Sequence, residues 1–223
     1  MRTTRGEDIS PRAFYLLDMK SNWKFKNNVE ADADDSPKII TLEKSSESSP
    51  QGNRIYFYSD VNKESILNLN RQIDDLTRQM KMIQFALNMP KPPRIEIHIC
   101  SDGGDIFAGM AAVDKIIDNP IPIDTYCEGM VASAATLLSS VGDRRYISKS
   151  SCMLVHQVSS GLWGNYMQFK DEIKNLELLM NLIKGVYLKK TKFDPKELDE
   201  ILSHDLCMGA QECLDYGLVD EIL

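Results

Sequence analysis

The segment from residue 94 to residue 141 constrains the fold most, because two strand patterns alternate with two helix patterns along it. Residues 94–100 alternate apolar and more polar side chains, which is typical of a half-buried strand. A helix is predicted from about Ile106 to Asn119, a short buried strand over Ile121 to Tyr126, and a helix over Ala132 to Val141. This order predicts an α/β fold with a parallel sheet and crossover helices.

Further elements are predicted on both sides of this segment. In chain order they are a strand over Ile55 to Tyr58, a helix over Asn62 to Asn88, short strands over Arg145 to Ser148 and Cys152 to His156, helices over Tyr166 to Lys190, Pro195 to Leu202 and Gly209 to Tyr216, and an edge strand over Leu218 to Leu223. The helix from Tyr166 carries an apolar stripe from Phe169 to Tyr187, which we expect to be buried against the body or another subunit.

The first 52 residues differ in composition from the rest. They contain an acidic run over residues 32–35, they are rich in serine, and they contain little that could be buried in a core. We therefore expect residues 1–52 to be a tail or a removable pro-segment and residues 53–223 to be the folded domain. Two apolar patches, Ala13 to Leu17 and Lys38 to Leu42, could dock on that body or on a partner.

Charge and cysteine content exclude several classes of protein. The formal charge of −7 argues against a nucleic-acid partner, because binding phosphates requires a basic patch. The five cysteines contain no C-x-x-C pair, so neither a disulfide framework nor a zinc site is expected. The sequence has no signal-type apolar run and no segment apolar enough to cross a membrane. A cytoplasmic protein with no membrane contact is expected.

Ser133 is a candidate nucleophile, since it lies among small residues at the predicted strand-to-helix corner. At such a corner a side chain projects from the end of the sheet, and the backbone N–H groups that follow are free. This arrangement suits acyl transfer. The alternative is that small residues pack the helix closely and that the serine caps it.

Three histidines are candidates for a general base. His156 ends a predicted buried strand, where ligand crevices of α/β sheets open, although a structural role is equally compatible with that position. His98 is expected on the surface or in a second layer, and His204 in solvent. The pair Gly103-Gly104 follows a strand and precedes a helix, so it could present N–H groups to a ligand or form an ordinary tight turn.

Four blocks in this order resemble the ClpP family of self-compartmentalising serine peptidases, from about Arg54 to the end of the chain. The blocks are Gly103-Gly104 before a helix, Gly129 to Ala134 (Gly-Met-Val-Ala-Ser-Ala), Met153 to Gln157 (Met-Leu-Val-His-Gln), and Asp205 ahead of the segment Met208 to Asp220.

The resemblance implies a role for each candidate residue. Ser133 would be the nucleophile, His156 the general base and then the general acid, and Asp205 the carboxylate that orients the imidazole. The N–H groups of Gly104 and Ala134 would form the oxyanion hole. No metal or cofactor would be needed. Composition alone does not distinguish Asp205 from its acidic neighbours, which are Asp199, Glu200, Asp215 and Asp220.

The resemblance also implies an architecture and partners. It implies a crotonase-like α/β fold with a protruding handle helix, for which Tyr166 to Lys190 is the match. Subunits would form heptameric rings stacked in pairs, a tetradecamer, and unfolded polypeptides would be cleaved inside the chamber. An AAA+ unfoldase is the implied partner of such an assembly.

Two departures from the family pattern keep further functions open. Asp102 replaces a proline that many relatives have, and the acidic start does not resemble the family's short N-terminal segment. Such divergence suggests a specialised or viral relative, for which capsid-protein maturation is an alternative function. An inactive or scaffolding subunit and an acyl-CoA enzyme on the same fold are also compatible with the sequence.

Overall fold

The computed structural model describes residues 52–223, so the predicted tail and its two apolar patches lie outside the described residues, apart from Gly52. The elements, in chain order, are β1 (Arg54–Phe57), α1 (Lys63–Ala86), β2 (Ile95–Ser101), α2 (Ile106–Ile117), β3 (Ile123–Ala132), α3 (Ala134–Ser140), β4 (Arg144–Ile147), β5 (Cys152–Leu154), α4 (Tyr166–Lys190), α5 (Pro195–Leu202), β6 (Cys207–Gly209), α6 (Ala210–Asp215) and β7 (Glu221–Ile222).

The strands form one predominantly parallel sheet in the order β1-β2-β3-β4-β7. Strand β5 pairs in parallel with the last residues of β3, and β6 pairs antiparallel with β5. Helices connect β1 to β2, β2 to β3 and β3 to β4. The predicted α/β fold with a parallel sheet and crossover helices is therefore confirmed.

Strand β3 is longer than the sequence pattern predicts. Periodicity ended the strand at Tyr126, whereas the structure continues it to Ala132, and α3 begins at Ala134 instead of Ala132. The extension contains Glu128 and Gly129, which break the apolar run that the prediction relied on. It persists because residues 130–132 pair with β5 after residues 124–127 have paired with β4.

The core lies between the sheet and helices α1, α2 and α3. Ile95, Ile97 and Ile99 on one face of β2 are fully buried, as the alternation predicts. Helix α1 adds an apolar stripe that begins at Ile66 and ends at Met80. All residues of α3 are buried, so this short helix lies in the centre of the domain and cannot shift without disturbing the core.

The apolar stripe of α4 is buried over only half of its length. Leu179, Ile183 and Tyr187 pack against the body, whereas Phe169 and Ile173 are 46% and 56% exposed. Within residues 52–223, no helix has the length and apolar character that crossing a bilayer requires.

Arg145 fastens the end of the chain to the sheet. Its guanidinium forms a bidentate pair with Asp220, with Nε and Nη2 at 3.0 and 2.5 Å from the carboxylate oxygens. It also donates to the carbonyl oxygens of Lys190 and Gly217 at 2.5 and 2.8 Å. Burial raises the pKa of Asp220, but the hydrogen bonds and charge of Arg145 outweigh burial, so that this pKa lies below its usual value.

This pair predicts a pH dependence of stability. A carboxylate whose pKa is lower in the folded than in the unfolded chain stabilises the fold above the unfolded-state pKa, about 3.9 for Asp. That contribution is lost as pH falls through the folded-state pKa. Between about pH 5 and pH 3, we expect the free energy of unfolding to fall more steeply in the wild type than in Asp220→Asn.

Urea denaturation at several pH values measures this difference. Asp114→Asn is the matched control, because the exposed Asp114 side chain has no ion pair with any residue the structure describes. Equal slopes for Asp220→Asn and wild type would show that the pair does not contribute.

Candidate active site

Ser133 connects β3 to α3 in a strained backbone conformation. Its φ of 54° and ψ of −127° are rare for a residue with a side chain, and such geometry costs about 1–3 kcal/mol. Its N–H donates to the Leu154 carbonyl at 2.8 Å, and its carbonyl accepts from the Thr136 N–H at 3.0 Å. The side chain makes no helix-capping hydrogen bond, so the capping role is wrong.

The loop at Gly103 and Gly104 packs directly against this corner. The two φ angles are 93° and 144°. A Cβ at Gly103 would lie 2.6 Å from both the Ala132 carbonyl oxygen and the Ser133 Cβ, and one at Gly104 would lie 2.3 Å from the Val61 carbonyl oxygen. Both positions therefore require glycine, for close approach as well as for backbone conformation.

Two backbone donors are left free beside Ser133. Val61 bonds the loop on either side of Gly104, donating to the Gly103 carbonyl and accepting from the Asp105 N–H, each at 2.7 Å. The N–H groups of Gly104 and Ala134 themselves donate to no acceptor within residues 52–223. An oxygen atom that gains negative charge in the pocket could accept from both.

His156 follows the end of β5, and its Nδ1 lies 2.9 Å from Asp205 Oδ1. The antiparallel pairing explains this contact, because Leu154 is opposite Cys207, and continuing that register for two residues sets His156 opposite Asp205. With the carboxylate ionised, Nδ1 carries the hydrogen and Nε2 is free to accept a proton.

The acidic neighbours of Asp205 have other partners or positions. Asp199 pairs with Lys184, Asp215 accepts from Gln211, and Asp220 pairs with Arg145. Composition alone could not say which of these acidic residues contacts His156. The structure shows that it is Asp205. Its side chain is 78% exposed, so water screens much of its charge.

One pocket of about 260 Å³ is lined by Gly104, Ser133, Ala134 and His156, and Tyr187 also lines it. The structure thus brings four of the five predicted residues to one pocket. The fifth, Asp205, does not line the pocket but contacts His156. Within the described chain, the Ser133 hydroxyl does not hydrogen bond to the imidazole. In proteins without a bound substrate, such contacts are commonly long and shorten in the complex.

The other two histidines lie elsewhere. His98, predicted on the surface or in a second layer, is not a surface residue, since it is buried and stacks between Tyr56 and Tyr126 at ring-centroid distances of 4.9 and 4.6 Å. Its Nδ1 lies 2.8 Å from Glu128, which also accepts from Tyr58. His204 is exposed, as predicted.

Sequence reasoning missed Thr136, which holds the Ser133 carbonyl through its Oγ1 at 2.6 Å. It treated Tyr187 only as a member of an apolar stripe, although the Tyr187 hydroxyl lies 2.5 Å from Thr136 Oγ1. No local pattern could have shown this contact, because the two residues are 51 positions apart.

In the described part of the chain, no cluster of three or more His, Cys, Asp or Glu side chains could hold a metal ion.

Comparisons with known proteins identify the family of this chain. A family model described as Clp protease matches residues 50–223. The chain is 28% identical over 182 residues to the ATP-dependent Clp protease proteolytic subunit of Deinococcus radiodurans, an alignment that covers 79% of this chain and 89% of that protein. It is 30% identical over 170 residues to ATP-dependent Clp protease proteolytic subunit 2 of Chlamydia trachomatis serovar D, covering 74% and 84%.

A solved structure shares the fold. A mutant ClpP1 from Listeria monocytogenes superposes with a TM-score of 0.67 at 20% identity, covering 77% of this chain and 91% of that one. The predicted ClpP-type fold is therefore confirmed. Because the family match spans the whole described domain and the fold agrees with it, this chain belongs to the Clp protease family.

Proposed function

We propose that the chain is a serine endopeptidase that hydrolyses peptide bonds of unfolded polypeptides through an acyl-enzyme. The observation that carries the proposal is the His156–Asp205 hydrogen bond of 2.9 Å at a pocket that Ser133 also lines. The free N–H groups of Gly104 and Ala134 support it, since an inactive scaffold would have no need of two unpaired donors beside a strained serine.

The proposed reaction has two steps. His156 Nε2 takes the proton of the Ser133 hydroxyl while Oγ attacks the peptide carbonyl, and the oxyanion accepts hydrogen bonds from Gly104 and Ala134. The imidazolium then protonates the leaving amine, and an ester to Ser133 remains. In the second step His156 activates a water molecule that hydrolyses the ester. Asp205 holds the imidazole in the required tautomer throughout.

An extended peptide fits the segment that follows His156. The N–H groups of Ser159, Ser160 and Gly161 make no hydrogen bond to any residue in the described domain. A substrate added as a strand along one edge of this segment could pair with alternate members of this set. Main-chain pairing of this kind favours unfolded substrates of many sequences, because it reads the backbone and not the side chains.

We also propose the oligomeric ring chamber, with heptameric rings stacked in pairs. Support comes from the first half of α4, where four large apolar side chains are between 46% and 69% exposed, namely Tyr166, Met167, Phe169 and Ile173. Such a surface is typical of a protein interface. We further propose that an AAA+ unfoldase supplies the unfolded chains, because the two relatives are named ATP-dependent.

Ser133→Ala tests the nucleophile. We expect a fluorophosphonate probe to label the wild type and not the variant, because the probe reacts only with an activated serine hydroxyl. Peptide hydrolysis by Ser133→Ala should fall below detection, since losing the nucleophile of a serine protease costs on the order of 10⁶-fold. An assembled wild type that is neither labelled nor active would instead support the scaffolding alternative.

Asp205→Asn tests the carboxylate. We expect kcat for peptide hydrolysis to fall by about 10²- to 10⁴-fold, because an amide no longer selects the tautomer that general-base catalysis requires. Asp215→Asn is the matched control, since it makes the same change at an exposed acidic residue that contacts Gln211 and not His156. Equal activity of the two variants would contradict the role of Asp205.

Ile173→Asp tests the stacked rings. A charge on the exposed half of α4 should oppose association there, so light scattering should report about half of the wild-type assembled mass. Ile173→Val retains the apolar surface and should retain the mass. If Ile173→Asp also assembles fully, ring stacking does not use this surface.

A further inference from the structure

Two buried hydroxyl groups connect helix α4 to the backbone of Ser133. Thr136 Oγ1 lies 2.6 Å from the Ser133 carbonyl oxygen and 2.5 Å from Tyr187 Oη. Thr136 is fully buried and Tyr187 is 2% exposed, so water does not compete for these bonds. We call the series Tyr187, Thr136 and the Ser133 carbonyl the hydroxyl chain.

The hydroxyl chain has a definite direction. A threonine hydroxyl has one hydrogen to donate, and the Ser133 carbonyl can only accept, so Thr136 donates to Ser133. Tyr187 must then donate its hydrogen to Thr136 Oγ1. Burial raises the pKa of Tyr187 well above its usual value, so the phenol stays protonated and remains a donor.

The carbonyl at the end of the hydroxyl chain belongs to the same peptide unit as the Ala134 N–H. A peptide unit is planar, and in the trans form its C=O and N–H point in opposite directions. Fixing the Ser133 carbonyl towards Thr136 therefore fixes the Ala134 N–H on the opposite side. The Thr136 N–H also donates to this carbonyl at 3.0 Å, and the two hydrogen bonds together oppose the rotation that would relax the strained Ser133 backbone.

We propose that Tyr187 is a positioning residue that holds the Ser133–Ala134 peptide unit in the orientation that stabilises the oxyanion. The proposal rests on the proposed function and deepens it, since it makes the placement of α4 a condition for catalysis. The Tyr187 ring is itself fixed by an edge-on contact with Phe193 at 6.4 Å.

Tyr187→Phe tests the proposal with the least change in packing. We expect kcat to fall by about tenfold with KM nearly unchanged, because the oxyanion donor acts in the transition state and not on the bound substrate. Tyr216→Phe is the matched control. Tyr216 packs against the same Phe193 in a tilted arrangement with ring centroids 4.9 Å apart, and its hydroxyl bonds to no other group among residues 52–223.

Thr136 gives a second pair of variants. Thr136→Val removes the middle hydroxyl and should lower kcat at least as much as Tyr187→Phe, whereas Thr136→Ser keeps a hydroxyl and should retain most activity. The double variant Tyr187→Phe, Thr136→Val should be no slower than Thr136→Val alone, because both changes break one series of bonds. Additive losses in kcat would overturn the proposal.

Hydrogen exchange tests the same bonds without requiring activity. Deuterium uptake by the backbone of residues 133–138 should be faster in Tyr187→Phe than in Tyr216→Phe. If the wild type is not labelled by the fluorophosphonate, the proposed function fails, and exchange still decides whether Tyr187 holds the peptide unit. If both exchange and kcat are the same in the two phenylalanine variants while the wild type is active, the inference is wrong and the proposed function stands.

Discussion

Strand β3 determines the position of the whole pocket, because β2, β4 and β5 all hydrogen bond to it. Its 10 residues pair first with β4 and then with β5, so the strand ends beside the end of β5. Ser133 follows the first of these ends and His156 follows the second. The pairing of β5 with β6 then extends to the contact between His156 and Asp205. A chain of backbone registers thus places side chains that are far apart in sequence.

The buried helix α3 combines an apolar environment with hydroxyl groups that are all bonded. Ser139 and Ser140 donate to the Thr136 carbonyl, and Thr125 of β3 donates to the Ser139 carbonyl. Bonded hydroxyls in a dry core are rigid, since breaking one leaves an unpaired polar group out of reach of water. That rigidity gives a physical basis for holding the Ser133–Ala134 peptide unit in a strained conformation.

Asp205 and the first half of α4 face solvent, in contrast to the buried hydroxyl groups of α3. Asp205 is 78% exposed, so its charge is screened, and the role that suits it is orientation of the imidazole more than stabilisation of its charge. The first half of α4 exposes a run of large apolar side chains, whereas its second half carries Tyr187 into the core. One helix therefore carries both the proposed association surface and the tyrosine that connects, through Thr136, to the proposed nucleophile.

The sequence by itself determined the parallel sheet and the kind and order of every described element except the short strand β6, because hydrophobic periodicity and Gly or Pro boundaries are local properties of a chain. Together with the family resemblance, it singled out five residues, of which four line one pocket and the fifth, Asp205, contacts His156; their catalytic roles stay a prediction. Only the tertiary structure decided the full length of β3, the burial of His98 and the contact of Tyr187 with Thr136. These features depend on partners that are distant in sequence, and no local pattern records which distant strand or helix will supply a hydrogen bond.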